Sequence, residues 1–140
     1  MVCIYCASPT RVTNSRHQKR PNQVWRRRQC VVCGNNFTTH ELIELSGTIM
    51  VRHSARKLAP FSRDALYLSI HESCRHRGTA TNDATALTQT IITSLRPRIQ
   101  SGVIGRDEIV TATLATLTNF DKTAAAIYKA YHPLGSSFGS

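Results

Sequence analysis

An α+β chain is predicted. It comprises a strand-and-turn segment over residues 1–45, a mainly helical segment entered by a short β-hairpin over residues 46–132, and a flexible tail over residues 133–140. Three observations predict this. Two C-x2-C pairs, Cys3-Ile4-Tyr5-Cys6 and Cys30-Val31-Val32-Cys33, lie in a segment whose apolar inventory is thin: Ile4, Tyr5, Val12, Trp25 and Phe37. Positive charge is concentrated in the same segment, where residues 1–40 hold seven Lys or Arg and no Asp or Glu. From Ser62 onward, apolar residues recur at helical spacing.

A metal centre wants four thiolates at the corners of a tetrahedron, and each C-x2-C delivers two from one tight turn. Cys3, Cys6, Cys30 and Cys33 are therefore read as ligands to one structural Zn2+ per chain, in a small zinc ribbon that depends on the metal for its stability. The loop from Cys6 to Cys30 is slightly longer than usual for such sites and absorbs the extra length. A disulfide pair would need an oxidising compartment, and a thioredoxin-like redox motif would need a βαβ context that is missing here. The fifth cysteine, Cys74, has no mate, which also argues against a disulfide framework. A saturated tetrathiolate leaves no open position for water, so the zinc is structural rather than catalytic.

The formal net charge is +10. A tetrathiolate zinc site is formally about −2, so the metallated first segment keeps about +5. That suits a polyanionic partner. No uncharged apolar run approaches membrane-spanning length, and Cys3 and Cys6 occupy the place an apolar targeting stretch would need. A cytoplasmic location follows as the expectation, since thiols stay reduced there. No Walker-type glycine loop, carboxylate pair, Ser/His/Asp or Cys/His arrangement stands out, so no enzyme is predicted.

In the first segment, residues 23–29 read as a strand leading into the second C-x2-C, with Phe37-Thr38-Thr39-His40 as partner strand after the Gly34-Asn35-Asn36 turn. Side chains alternate on a strand, so Arg26 and Arg28 are expected on one face and Trp25 with Arg27 on the other. Trp25 is read as core against the zinc site, because the segment has few other anchors. A boundary is placed near Leu45-Ser46-Gly47, where Ser46-Gly47 is either a hairpin turn or a linker. Thr48–Arg52 reads as a strand. His53-Ser54-Ala55-Arg56-Lys57 reads as a basic turn, either a phosphate cradle or a solvated loop.

Ser62 is a good N-cap, Asp64 sits in the first turn, and Phe61 with Leu66 has the spacing of a hydrophobic staple. Leu66, Ile70 and Cys74 share one stripe, which makes Cys74 a small core residue. A second helix runs from about Asn82 to Leu95, with Ala84, Leu87, Ile91 and Leu95 inward, and Pro97 stops it. A third begins near Gly105–Glu108 with Ile109, Thr113 and Leu117 on one face, and a fourth follows Asp121 to Tyr131. His40, His53, His71 and His76 read as surface or cap residues, since four cysteines already saturate a zinc site.

Several strings resemble the NrdR family, zinc-ribbon repressors of ribonucleotide reductase genes. They are Cys3-x-x-Cys6, Thr10-Arg11-Val12-x-x-Ser15-Arg16, Arg26-Arg27-Arg28-x-Cys30-x-x-Cys33 and Phe37-Thr38-Thr39. The second half resembles that family's ATP-cone through Val51-Arg52, Pro60-Phe61, Cys74-Arg75-His76-Arg77 and Ile127-Tyr128-Lys129-Ala130-Tyr131. The resemblance implies a non-enzymatic repressor of bacterial cytoplasm and nucleoid. Such a protein binds a double-stranded DNA operator through Arg11, Arg16, Arg26, Arg27 and Arg28. It senses ATP and dATP through Val51, Arg52, Arg56 and Lys57, and changes homo-oligomeric state between the two. The chain departs from the family where Val51-Arg52-His53-Ser54-Ala55 replaces an opening lysine and a turn with Asp or Gly, and Asp121–Tyr128 is shorter. Arg binds phosphate with a different geometry from Lys. The alternative function is a basic zinc-ribbon module of an RNA-protein or ribosome-associated assembly without nucleotide sensing.

Overall fold

A chain this poor in apolar residues at its start and this rich in helical stripes afterwards has two different ways of holding itself together. The computed structural model describes residues 1–135. It divides into two compact units, Met1–Ile43 and a second beginning at Glu44.

In the first unit, β1 (Thr10–Gln18), β2 (Gln23–Cys30) and β3 (Asn36–Glu41) form an antiparallel sheet in the order β1-β2-β3. β1 is nine residues long, where only short strands were expected. Its sequence, TRVTNSRHQ, carries almost no apolar alternation, so pairing along β2 rather than burial makes it a strand. The register slips by one between Val12 and Asn14, which leaves Thr13 as the extra residue of a β-bulge.

Among residues 1–43 only Cys3 and Cys30 are buried. Trp25 is half-buried and does not serve as core against the cysteines, which corrects the expectation. The cause is the strand period: Cys30 lies an odd number of residues along β2, so the two side chains leave opposite faces. Trp25 instead carries the Arg16 guanidinium over its ring, 5.9 Å from the centroid.

The second unit opens with the turn at Ser46-Gly47, closed by the Thr48 N–H donating to the Leu45 carbonyl at 3.1 Å. The hairpin of β4 (Met50–Ser54) and β5 (Lys57–Pro60) follows, so His53 and Ser54 belong to a strand rather than a turn. β6 (Val103–Gly105) adds parallel to β4 on its other edge, giving the order β5-β4-β6. Three residues are too few for a period to announce β6. Gly102 precedes it at φ +74°, and a Cβ there would stand 3.3 Å from the Thr48 carbonyl oxygen.

The helices are α1 (Arg63–Ser73), α2 (Ala80–Leu95), α3 (Arg106–Phe120) and α4 (Lys122–Tyr131). Ser62 accepts from the Ala65 N–H at 3.1 Å, and both staple residues, Phe61 and Leu66, are buried. α1 packs on α2 and α4, and α3 packs on α2, α4, β4 and β6. Leu66, Ile70 and Cys74 share one buried core cluster with Ala84, Leu87, Ile91, Leu95 and Leu117. Thr88 and Thr113 are fully buried, and their hydroxyls donate back to the Ala84 and Ile109 carbonyls at 2.6 and 2.8 Å. At the tail, the Arg106 Nη1 donates to the Pro133 carbonyl at 3.1 Å and the Gly135 N–H to the Asp107 Oδ1 at 3.4 Å. The tail's first residues are thus tied down, and residues 136–140 of the expected flexible tail lie outside the described residues. No helix among the described residues is long and apolar enough to cross a membrane.

Arg77 fastens the helical unit together. Its Nε donates to the Asp83 Oδ2 at 2.8 Å and its Nη1 to the Asp121 Oδ2 at 2.9 Å, while its guanidinium lies 4.7 Å from the centre of the Phe120 ring. His76 Nε2 stands 3.1 Å from the same Asp121 oxygen. The Ala124 N–H, then His76 and Arg77, hold the Asp121 carboxyl well below the usual carboxylate range. The Thr79 hydroxyl and then Arg77 lower Asp83. A carboxyl whose folded pKa is depressed stabilises the fold above its unfolded pKa, and that stability is lost as pH falls through it. The helical unit should therefore melt at lower temperature as pH drops from about 5 to about 3. Asp121→Asn keeps an N-cap but has no proton to gain, so it should flatten part of that dependence, read from helical circular dichroism. An unchanged slope in the variant would refute the assignment.

Candidate functional site

The two C-x2-C turns are built alike. In each, the first cysteine's N–H donates to the carbonyl five residues on, Cys3 to Ser8 at 2.8 Å and Cys30 to Asn35 at 2.9 Å. In each, the N–H two residues on points at the first sulfur, Tyr5 to Cys3 and Val32 to Cys30, both at 3.4 Å. In each, the residue after the second cysteine is left-handed, Ala7 at φ +58° and Gly34 at +71°. Glycine adopts this freely; Ala7 does so at a cost of about 1 kcal/mol.

The four sulfurs all lie within 4.8 Å of one another. Cys3 and Cys33 Sγ are 3.7 Å apart, and Cys6 and Cys30 Sγ 3.5 Å. Sulfurs about 2.3 Å from a tetrahedral Zn2+ stand about 3.8 Å from one another, so the donor set fits that ion. The ligand N–H···S bonds, with the Cys33 N–H on Cys30 and the Asn35 side-chain amide on Cys33 (each 3.4 Å), suit thiolates. Four thiols this close resist ionising together. The Ser8 hydroxyl and N–H lower Cys6 to about 6. The Cys33 backbone N–H lowers Cys30. The Asn35 N–H favours the Cys33 thiolate, but burial and the other three thiols outweigh it and push Cys33 up to about 11. A bound dication removes that conflict, because it lets all four carry charge at once.

The basic residues singled out in the sequence fall on two faces of the ribbon sheet. Arg26 and Arg28 share one, as the alternation predicts, and both are half-buried and engaged. Arg26 Nη2 lies 2.9 Å from the Glu41 carboxylate. Arg28 Nε donates to the Thr39 hydroxyl at 3.3 Å, and its Nη1 to the Thr10 hydroxyl at 3.5 Å. Arg11, Arg16 and Arg27 are exposed on the opposite face with Trp25.

In the second unit, an open cavity of about 200 Å³ lies between the hairpin and helices α1, α3 and α4. Val51 and His53 of β4 both line it. Arg52, Arg56 and Lys57 are exposed on the hairpin and are not part of its lining. Its cationic residue is Arg106, in the first turn of α3, and its far wall is Tyr128 and His132, whose rings stack with centroids 4.3 Å apart. Burial and then Arg106 lower His132, and burial raises the Tyr128 phenol, so both stay neutral near pH 7. Sequence reasoning placed His53 in a basic turn that could cradle phosphate, and singled out neither Arg106 nor His132 for this role. Nothing local announces Arg106 or His132, which come from the start of α3 and the end of α4.

Comparison with known proteins agrees with the first unit's geometry. A family profile described as "Transcriptional repressor NrdR-like, N-terminal domain" matches residues 1–41. The chain is 32% identical to the transcriptional repressor NrdR of Leifsonia xyli subsp. xyli over 139 residues, covering 96% of this chain and 85% of that one. It is 32% identical to its counterpart in a Chelativorans species over 129 residues, 91% and 82% of the two chains. Against that of a Parafrankia species it is 29% identical over 140 residues, 96% and 73% of the two. These similarities span both units, and with the four-cysteine cluster in place the chain belongs to the NrdR family of transcriptional repressors, regulators rather than enzymes.

Proposed function

We propose that the chain is a zinc-dependent, nucleotide-regulated repressor of ribonucleotide reductase genes, acting in the bacterial cytoplasm. Cys3, Cys6, Cys30 and Cys33 hold one Zn2+, which cross-links the two C-x2-C turns when bound. The ribbon's arginines supply the basic surface for a double-stranded operator. An adenine nucleotide, ATP or dATP, sits against Val51 in the second unit. Two sets of cations stand near its phosphates there, Arg106 at the cavity, whose Nη1 also meets the Asp107 carboxylate and the Pro133 carbonyl, each at 3.1 Å, and Arg52, Arg56 and Lys57 on the hairpin. Nucleotide binding then sets the homo-oligomeric state that engages DNA.

The observation that best supports this reading is the cavity. A separate helical unit that served only as an adaptor has no need of an open pocket with an arginine and stacked rings at its wall. Light scattering of the zinc-loaded chain with ATP, with dATP and with neither, alongside operator binding under the same conditions, tests it. A change of molecular mass with nucleotide and a matching change in operator affinity are expected. A mass and an affinity indifferent to both nucleotides would refute the regulatory part and favour the RNA-protein module.

A further inference from the structure

We infer that one face of the ribbon sheet holds duplex DNA, the face around Trp25 that carries Arg11, Arg16 and Arg27, and that the bulge at Thr13 creates this face. The inference rests on the reading that the ribbon binds DNA. On a regular strand, Arg11 and Arg16 stand an odd number of residues apart and point to opposite faces. The register shift between Val12 and Asn14 changes this. Arg11 lies across from Gln29, and Arg16 across from Trp25. Gln29, Arg27 and Trp25 alternate onto one face of β2, so both β1 arginines join them there. The Thr13 hydroxyl fixes the bulge by donating to the Arg27 carbonyl at 3.3 Å.

The two faces differ in what their cations already do. Arg26 is paired with a carboxylate and Arg28 is spread between two threonine hydroxyls, so both brace the sheet. On the Trp25 face no Asp or Glu occupies a register position, and β3 contributes Asn36, Thr38 and His40, all exposed. The partners of its arginines are neutral. Arg11 Nη2 donates to the Gln29 side-chain oxygen at 2.8 Å, and Arg16 lies over the Trp25 ring. Such partners orient a guanidinium without cancelling its charge. Trp25 is the one Phe, Tyr or Trp at a register position on this face, where the only other ring is the imidazole of His40, and Arg16 covers the indole. A single-stranded partner wants open aromatic platforms for its bases, whereas a duplex backbone wants a row of uncancelled cations. The chemistry here is the second.

The test is binding of the full, zinc-loaded chain to a duplex and to a single strand of equal length over a salt series. Arg11→Ala, Arg16→Ala and Arg27→Ala should each weaken duplex binding roughly tenfold and lower the slope of log affinity against log salt by about 0.9. Arg27→Lys should keep the slope. Arg26→Ala and Arg28→Ala should leave the slope at the wild-type value. Zinc content and ribbon amide dispersion identify any variant that has lost its fold, and Arg16→Gln stands in should Arg16→Ala be one. Slope losses confined to Arg26 and Arg28 would overturn this inference and leave the DNA reading standing. Tighter binding to the single strand would overturn the duplex assignment. A wild-type chain that binds no nucleic acid at low salt would overturn the DNA reading and this inference with it.

Discussion

Chelating the metal will unfold residues 1–43 and leave the helical unit folded. The first unit fully buries only Cys3 and Cys30, with Trp25 and Phe37 half-buried, so its hydrophobic stabilisation is small. Its sheet is open to water on long stretches, and hydrogen bonds in such a sheet contribute about 1 kcal/mol each at best. A structural Zn2+ contributes on the order of 10–16 kcal/mol in small zinc domains, which is as large as the whole stability of an ordinary domain. The second unit keeps a continuous apolar cluster from Val51 to Tyr128 and has no cysteine in the metal cluster. Amide spectra should therefore show collapse of the resonances of β1, β2 and β3, with those of the four helices in place. Cys30→Ser should do the same without chelator, because it removes the ligand that lies deepest together with Cys3. A ribbon that keeps its dispersion after complete metal removal would refute the argument. Duplex binding should vanish with the ribbon's fold.

Where a residue's neighbours are local, the chain announced them. Phe61, Ser62 and Leu66 specify the start of α1 within a few residues, and they stand where cap and staple require. The cysteine spacing announced the tetrad for the same reason, since each C-x2-C is complete in one turn. What could not be read depends on pairing across strands. β1 has little apolar pattern because it buries nothing, and β6 is a strand only because β4 runs beside it. The bulge at Thr13 has no sequence mark, yet it decides which arginines share a face. The Trp25 expectation failed on a related point: thin apolar inventory suggested a core role, while the strand period sent the ring away from Cys30. The cavity is likewise made by residues far apart in sequence, with Val51 and His53 from a strand, Arg106 from the start of α3 and His132 from the end of α4.

That cavity makes the second large prediction. Ala65→Trp will abolish adenine-nucleotide binding, by at least about 100-fold or 2.7 kcal/mol. Ala65 lies on the exposed side of the first turn of α1 and lines the cavity with Ser62 and Ser69. Its backbone N–H is already committed to the Ser62 hydroxyl, and that bond survives any side chain. An indole placed there projects into a space of about 200 Å³ whose wall the buried Leu66 shares, while Ile70 is fully buried in the core behind it. The cost to α1 is then the propensity difference between Ala and Trp, about 0.5 kcal/mol, too little to unfold the unit. The variant also separates the two sets of cations. If the cavity holds the nucleotide, Ala65→Trp loses binding while Arg52→Ala, Arg56→Ala and Lys57→Ala, exposed on the hairpin, each change it by a few-fold at most. If the hairpin cradles the phosphates alone, the pattern inverts, with Ala65→Trp near wild type and the hairpin variants silent to ATP. Calorimetric titration of ATP and dATP into the four variants distinguishes the cases. The physical reason to expect the first is desolvation: an arginine at the wall of a concave site meets a phosphate with less water between them than three side chains extended into solvent do.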